Sequence, residues 1–156
     1  MRVSDIFKLI LAIVICELAG VIGSVFTADS VSTWYVTLAK PVFNPPNWLF
    51  GPVWTLLYLL MGISLWLVWR SKSKFKSIAI WFFSIQLLLN ILWSIIFFGL
   101  KSLLGALIEI ILLWALIIIT IILFHRISKT AAWILLPYIL WVTFAAILNF
   151  SIWLLN

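Results

Sequence analysis

The chain has 156 residues, of which 67% are hydrophobic and 9% charged, with ten Lys or Arg against four Asp or Glu. No water-soluble domain of that size covers so much apolar surface, so lipid is the solvent, and the net charge of +6 bears on membrane topology and not on nucleic acid. The single cysteine, Cys16, lies inside an apolar run and offers neither a disulfide framework nor a thiolate metal cluster.

A helix needs about twenty apolar residues to cross about 30 Å of hydrocarbon. Five runs qualify: residues 6–26, 51–69, 78–98, 103–124 and 131–154. The first resembles a signal peptide in having basic flanks. However, its apolar stretch is too long, it carries Glu17, and Phe26 sits where cleavage needs a small residue, so the span is expected to be retained. Four of the five prolines follow: Pro41, Pro45, Pro46 and Pro52. The first three make residues 27–50 a rigid, extended, tryptophan-bearing loop that reads as a lid, and Pro52 suits the first turn of the second helix. The remaining breaks, 71–77, 99–102 and 125–130, are short and force antiparallel neighbours. Pro137 is expected to kink the fifth span. Residues 1–156 thus form a single all-α domain, a five-helix transmembrane bundle without an evident repeat.

The basic residues set the orientation. With the N-terminus inside, Arg2, Lys8, Arg70, Lys72, Lys74, Lys76, Arg126 and Lys129 fall inside, and only Lys40 and Lys101 fall outside. The expectation is an integral protein of a bacterial cytoplasmic membrane, with the lid and the C-terminus outside.

Helical spacing then gathers side chains at one depth beneath the lid. They are Gly20 and Ser24, Trp54 and Tyr58, Gln86, Asn90 and Trp93, and Trp141, Ala145 and Asn149. Each has a plainer reading. Trp34, Trp48, Trp69, Trp81 and Trp153 suit an interfacial belt, Gly20 and Ser24 suit close helix packing, and Trp93 and Trp141 suit core as well as pocket. An interhelical hydrogen bond would satisfy Asn90 as well as a ligand would. For the acids within spans, Glu17 and Glu109, Glu17 should face the bundle, where a structural hydrogen bond is favoured over a proton relay. Conventional catalysis is poorly served. The lone histidine, His125, belongs at the inner surface, and no triad, His-Glu-x-x-His motif or glycine-rich phosphate loop can be assembled. Met61 and Cys16 are too deep or misdirected to ligate a haem iron, so no metal is expected. What remains are indole and phenol faces, proline and amides, which bind flat apolar molecules by stacking.

The run K-P-V-F-N-P-P-N-W-L-F-G-P-V-W-T-L-L-Y-L-L-M-G resembles the signature of the tryptophan-rich sensory protein or translocator protein (TspO/MBR) family, also called peripheral-type benzodiazepine receptors. Further matches lie at Trp34-Tyr35, at Q-L-L-L-N-I-L-W-S-I-I-F-F-G and at P-Y-I-L-W-V-T-F-A-A-I-L-N. The resemblance implies a homodimeric five-helix bundle with a cavity closed by the first loop. It implies ligands such as protoporphyrin IX, bound as a ligand and not as a permanent cofactor, and isoquinoline or benzodiazepine compounds. Carried over by position, the cavity residues are Pro45, Trp48, Trp54, Tyr58, Asn90, Trp93, Trp141 and Ala145. The chain departs from the family's sterol motif, since Phe150, Ser151 and Leu154 replace the tyrosine and basic residue expected after Asn149. Trp81 and Ile85 stand where some members carry a glycine pair in the third helix, so the dimer interface does not carry over.

Three functions compete. The first is a membrane receptor or binding protein for porphyrins. The second is light- and oxygen-dependent porphyrin degradation, with Trp54 and Trp141 as redox partners. The third, a transporter of tetrapyrrole or sterol-like molecules, is disfavoured in ion-coupled form by the absent repeat and the lack of a chain of embedded charges.

Overall fold

A computed structural model describes residues 3–156; Arg2, one of the eight basic residues expected inside, lies outside the described residues. Six helices follow in order: α1 Val3–Thr33, α2 Phe50–Trp69, α3 Lys76–Ser94, α4 Leu103–His125, α5 Lys129–Ile134 and α6 Leu136–Leu155. With α5 and α6 taken as one broken span, five segments are long and apolar enough to cross a membrane, as an integral membrane protein requires. Around the bundle α1 lies between α2 and α3, α3 against α4, and α4 against α6.

Helix α1 continues seven residues beyond the expected end at Phe26. Neither Gly nor Pro interrupts residues 27–33, and three hydroxyls there bond back to their own helix, Thr27 Oγ1 to the Gly23 carbonyl at 3.0 Å and Ser32 Oγ and Thr33 Oγ1 to that of Asp29 at 3.1 and 2.7 Å. Ser30 Oγ donates across to the Phe98 carbonyl at 3.0 Å. The α1–α2 linker is therefore residues 34–49, shorter than expected, and it contains two short 3₁₀ turns, Tyr35–Thr37 and Asn47–Leu49. It is tied down at several points. Tyr35 is 3% exposed and its hydroxyl donates to Asn44 Oδ1 at 2.6 Å. Lys40 Nζ donates to the carbonyls of Tyr35 and Leu38, at 2.6 and 2.9 Å. Asn156 bonds both backbone groups of Ala39 at 3.0 Å, joining the linker to the end of α6.

Two irregularities shape the linker end of the bundle. Helix α3 leaves through a π-turn, Ile95–Gly99, closed by Leu100 N–H donating to the Ile95 carbonyl at 2.8 Å. The chain then reverses at Lys101, whose φ of 55° lies in the left-handed region, and Ser102 caps α4 by accepting from Gly105 N–H at 3.2 Å. The fifth span breaks at Leu135 because Pro137 lacks the N–H that Trp133 would have received, and its ring crowds that carbonyl. Below the break α5 packs on α2, with Ser64 Oγ donating to the Ala131 carbonyl at 2.8 Å. Above it the backbones of α6 and α2 stand apart, joined by aromatic side chains. The gap between them opens at the linker end.

Helix α1 closes on α2 at the opposite end, where Gly62 meets Ile13 so tightly that a Cβ would lie 2.6 Å from the Ile13 Cα. Trp66 Nε1 donates to the Asp5 carbonyl at 2.9 Å near the same end.

Candidate functional site

The gap is a cavity of about 280 Å³ walled by α1, α2, α3, the π-turn and α6. Four wall residues are exposed, Val21 and Ser24 on α1 and Gly51 and Thr55 on α2, so the mouth lies between those two helices.

Its aromatic faces are set by local geometry. Trp54 and Tyr58, one turn apart, hold their rings 5.6 Å apart at 30°, and Trp54 meets Tyr138 edge-on at 6.4 Å. Gly20 makes room for Tyr58, since a Cβ there would come 2.6 Å from the ring. On α3 Trp93 stacks on Phe97 at 5.0 Å and 22°. In a regular helix Phe97 and Phe98 would diverge by about 100°; in the π-turn both line the cavity, 4.8 Å apart. Trp141 of α6 packs against Phe144 at 5.5 Å and Phe50 at 6.1 Å.

Most polar groups in the wall are occupied. A buried chain crosses three helices: the Tyr58 hydroxyl donates to Asn90 Oδ1, Asn90 Nδ2 donates to the Tyr138 hydroxyl at 3.0 Å, and that hydroxyl donates to Gln86 Oε1 at 2.7 Å. Trp93 Nε1 donates to Asn149 Oδ1 at 3.3 Å, and Asn149 Nδ2 to the Leu103 carbonyl at 3.0 Å. Trp141 Nε1 is buried without a partner. Tyr35 closes the wall beneath the linker, and burial pushes its phenol up to about 12.

Six of the eight residues singled out as cavity-forming stand together in this wall: Trp54, Tyr58, Asn90, Trp93, Trp141 and Ala145. Pro45 and Trp48 stand apart from it. Pro46 is extended (φ −62°, ψ 141°) and leads into the 3₁₀ turn that carries Trp48, whose side chain is 72% exposed. His125 is exposed at the far end of α4, and Met61 and Cys16 are fully buried outside the wall.

Glu17 faces the bundle as expected and lines the cavity, but among the described residues it makes no hydrogen bond, so the structural bond expected of it is not formed. Glu109, on α4, is 5% exposed with neither oxygen partnered. Among the described residues, no group of three His, Cys, Asp or Glu side chains converges as a metal site would require.

The pattern of the TspO/MBR family matches residues 12–154 of the chain. The chain belongs to the TspO/MBR family. It is 49% identical to the tryptophan-rich protein TspO of Archaeoglobus fulgidus, covering 97% of this chain and 99% of that protein. Against the protein of the same name from Chlorobaculum tepidum the identity is 46%, over 97% and 98% of the two chains. Against the human translocator protein it is 36%, over 85% and 80%.

In this TspO/MBR family chain the sequence reading missed Tyr35, Phe50, Phe97 and Phe98 as wall residues. Tyr35 had a signal, since it follows Trp34 at the edge of the proline-rich segment and its ring is the only phenol there. The phenylalanine pair had none, because the π-turn that aims both inward has no composition of its own.

Proposed function

We propose that this protein is a membrane receptor for flat, hydrophobic aromatic ligands, metal-free porphyrins such as protoporphyrin IX among them, held in the cavity under the α1–α2 linker. The observation that carries the reading is the convergence of three indoles from three helices, Trp54, Trp93 and Trp141, on one mostly apolar cavity. Stacking on such faces is worth about 1–3 kcal/mol each in comparable aromatic recognition. A tetrapyrrole is wide for a cavity of about 280 Å³, so its edge would protrude through the mouth between α1 and α2. The porphyrin would sit without an axial protein ligand, a reading supported by His125 standing at the opposite end. The linker, fixed through Tyr35 and Asn156, acts as the lid. By the distribution of basic residues, the N-terminus and residues 70–76 face the cytoplasm of a bacterial cell, and a second copy completes a homodimer. Labelling by an impermeant thiol reagent on intact cells at a cysteine placed at Ser73, but not at Asn47, would refute the orientation; cross-linking in native membranes tests the dimer.

A second reading, photo-oxidative degradation of the bound porphyrin, is favoured by the placement of Trp54 and Trp141 in the same wall, where either indole could pass an electron to an excited ring. An absorbance time course of protoporphyrin IX with purified protein, lit and dark, separates the two. A static spectral shift supports binding alone, and progressive light-dependent loss to a new product supports chemistry. No shift at all removes both readings and leaves transport of another molecule.

A further inference from the structure

We propose that the cavity is built to take a flat aromatic cation, a protonated amine on a two- or three-ring system, and that Glu17 is the residue that selects it. The inference rests on reading the cavity as a ligand site but is independent of the porphyrin assignment. Among the described residues, Glu17 is the only formally charged side chain in the wall, whose other polar members are Ser, Thr, Tyr, Asn and Trp, and none of the described Lys, Arg or His residues lines the cavity with it. Its neutral neighbours are largely occupied. Tyr58 serves Asn90, Asn90 serves Tyr138, Trp93 serves Asn149, and Ser24 and Thr27 bond their own helix. Half-buried Glu17 makes no such bond among the described residues, and a carboxylate held against apolar surface is costly until something neutralises it.

Position supplies the second observation. Gly20 lies three residues on, on the same face of α1, and is the residue against which the Tyr58 ring rests, 2.6 Å from where a Cβ would sit. Glu17 therefore stands one helical turn before the residue that seats the Tyr58 ring, in the wall it shares with Trp54. A counter-charge beside two aromatic faces is the arrangement that holds organic cations. The acid neutralises the charge and the ring faces attract it within about 6 Å. A neutral ring gains the stacking but leaves the carboxylate unpaired, and an anionic ligand must keep its acid group at the far side. Size points the same way. About 280 Å³ falls near the lower end of the roughly 300–1,000 Å³ typical of ligand sites, which suits two or three fused rings held whole.

The test uses the full-length protein in a nonionic detergent at mildly alkaline pH, where 9-aminoacridine is a cation and acridine, of the same shape, is neutral. Quenching of tryptophan fluorescence reports both, and protoporphyrin IX is titrated in parallel. The wild type should bind the cation at least about tenfold more tightly than the neutral ring. Glu17→Gln should weaken the cation by about tenfold and leave acridine within about twofold, whereas Glu17→Asp should keep the preference. Glu109→Gln, buried outside the cavity, should leave it unchanged. Equal affinity of the two probes for wild type, or equal weakening of both by Glu17→Gln, overturns the proposal. If circular dichroism shows that Glu17→Gln does not fold, the wild-type ratio and the Asp variant decide. Cation preference without porphyrin binding sinks the porphyrin reading alone, and porphyrin binding without cation preference sinks this one alone.

Discussion

Asn90 stands where structure and site meet, and replacing it by leucine probes both. It is 3% exposed, accepts from the Tyr58 hydroxyl and donates to that of Tyr138. Leucine matches it in shape but offers neither group. The Tyr58 hydroxyl would then be a buried donor without an acceptor, while Tyr138 would keep its bond to Gln86. A stranded buried hydroxyl costs about 1–3 kcal/mol. Interhelical hydrogen bonds within membranes average nearer 0.6 kcal/mol, because the unfolded chain also finds partners there. About 1–2 kcal/mol of destabilisation is the expected result. The decisive variant is the double one, Asn90→Leu with Tyr58→Phe. Removing both ends of a bond strands nothing, so the pair should be nearer wild type than Asn90→Leu alone, with a coupling of at least about 0.5 kcal/mol. Equilibrium unfolding in mixed detergent micelles, followed by tryptophan fluorescence, measures all four proteins. Strict additivity, or an Asn90→Leu protein as stable as wild type, would show that the chain of hydroxyls and amides does not hold the helices.

Three further outcomes follow from the same geometry. Gly62→Ala sets a Cβ 2.6 Å from the Ile13 backbone, so α1 and α2 must spread; a loss of about 1–3 kcal/mol in the same unfolding assay is expected, and an unchanged midpoint would contradict it. The Tyr35 phenol, raised to about 12, keeps its proton through the ordinary range near 10. Docking of the linker should therefore be fully favoured below pH 10 and weaken as pH rises from 10 to 12; a wild-type minus Tyr35→Phe difference titration of tyrosinate absorbance should show its step near 12, and a step near 10 would refute the burial. Trp54→Phe and Trp141→Phe should each weaken porphyrin binding by no more than about tenfold, since phenylalanine still stacks, while photodegradation falls far more because that ring is much harder to oxidise. Equal loss of both would make the indoles plain contacts.

How far the sequence carried depended on whether a feature is periodic. The spans were legible because lipid demands about twenty apolar residues and interrupts them with charge. The residues 54, 58, 90, 93, 141 and 145 were legible as one cluster because spacings of three and four fix a helix face and antiparallel packing fixes depth. Pro137 announced the break at Leu135. The end of α1 was not legible, because Thr, Ser and Asp read as loop composition. There the Thr27, Ser32 and Thr33 hydroxyls bond backward along the helix instead, and Ser30 donates across to the Phe98 carbonyl. Nor was the π-turn, whose residues Ile95–Gly99 would suit an ordinary last turn of helix.

The carboxyls show why polar side chains in a membrane bundle resist reading from sequence. Each of Glu17, Asn90, Gln86 and Asn149 is a polar group in an apolar run; a structural bond is the expectation for Glu17, while for Asn90 an interhelical bond and a ligand serve equally well. The structure divides them by supply. Gln86 and Asn90 find Tyr138 and Tyr58 at the same depth, and Asn149 finds Trp93 and the Leu103 carbonyl. Once those donors are taken, what the wall leaves unused is the Glu17 carboxyl and, on another helix, the Trp141 indole N–H. A sequence states how many donors and acceptors a bundle holds, but not which will be consumed by their neighbours. What the helices leave over faces the cavity, so the chemistry offered to a ligand is the remainder of the chemistry that holds the helices together. On that argument the group to vary first when asking what this cavity recognises is Glu17, which the fold does not use.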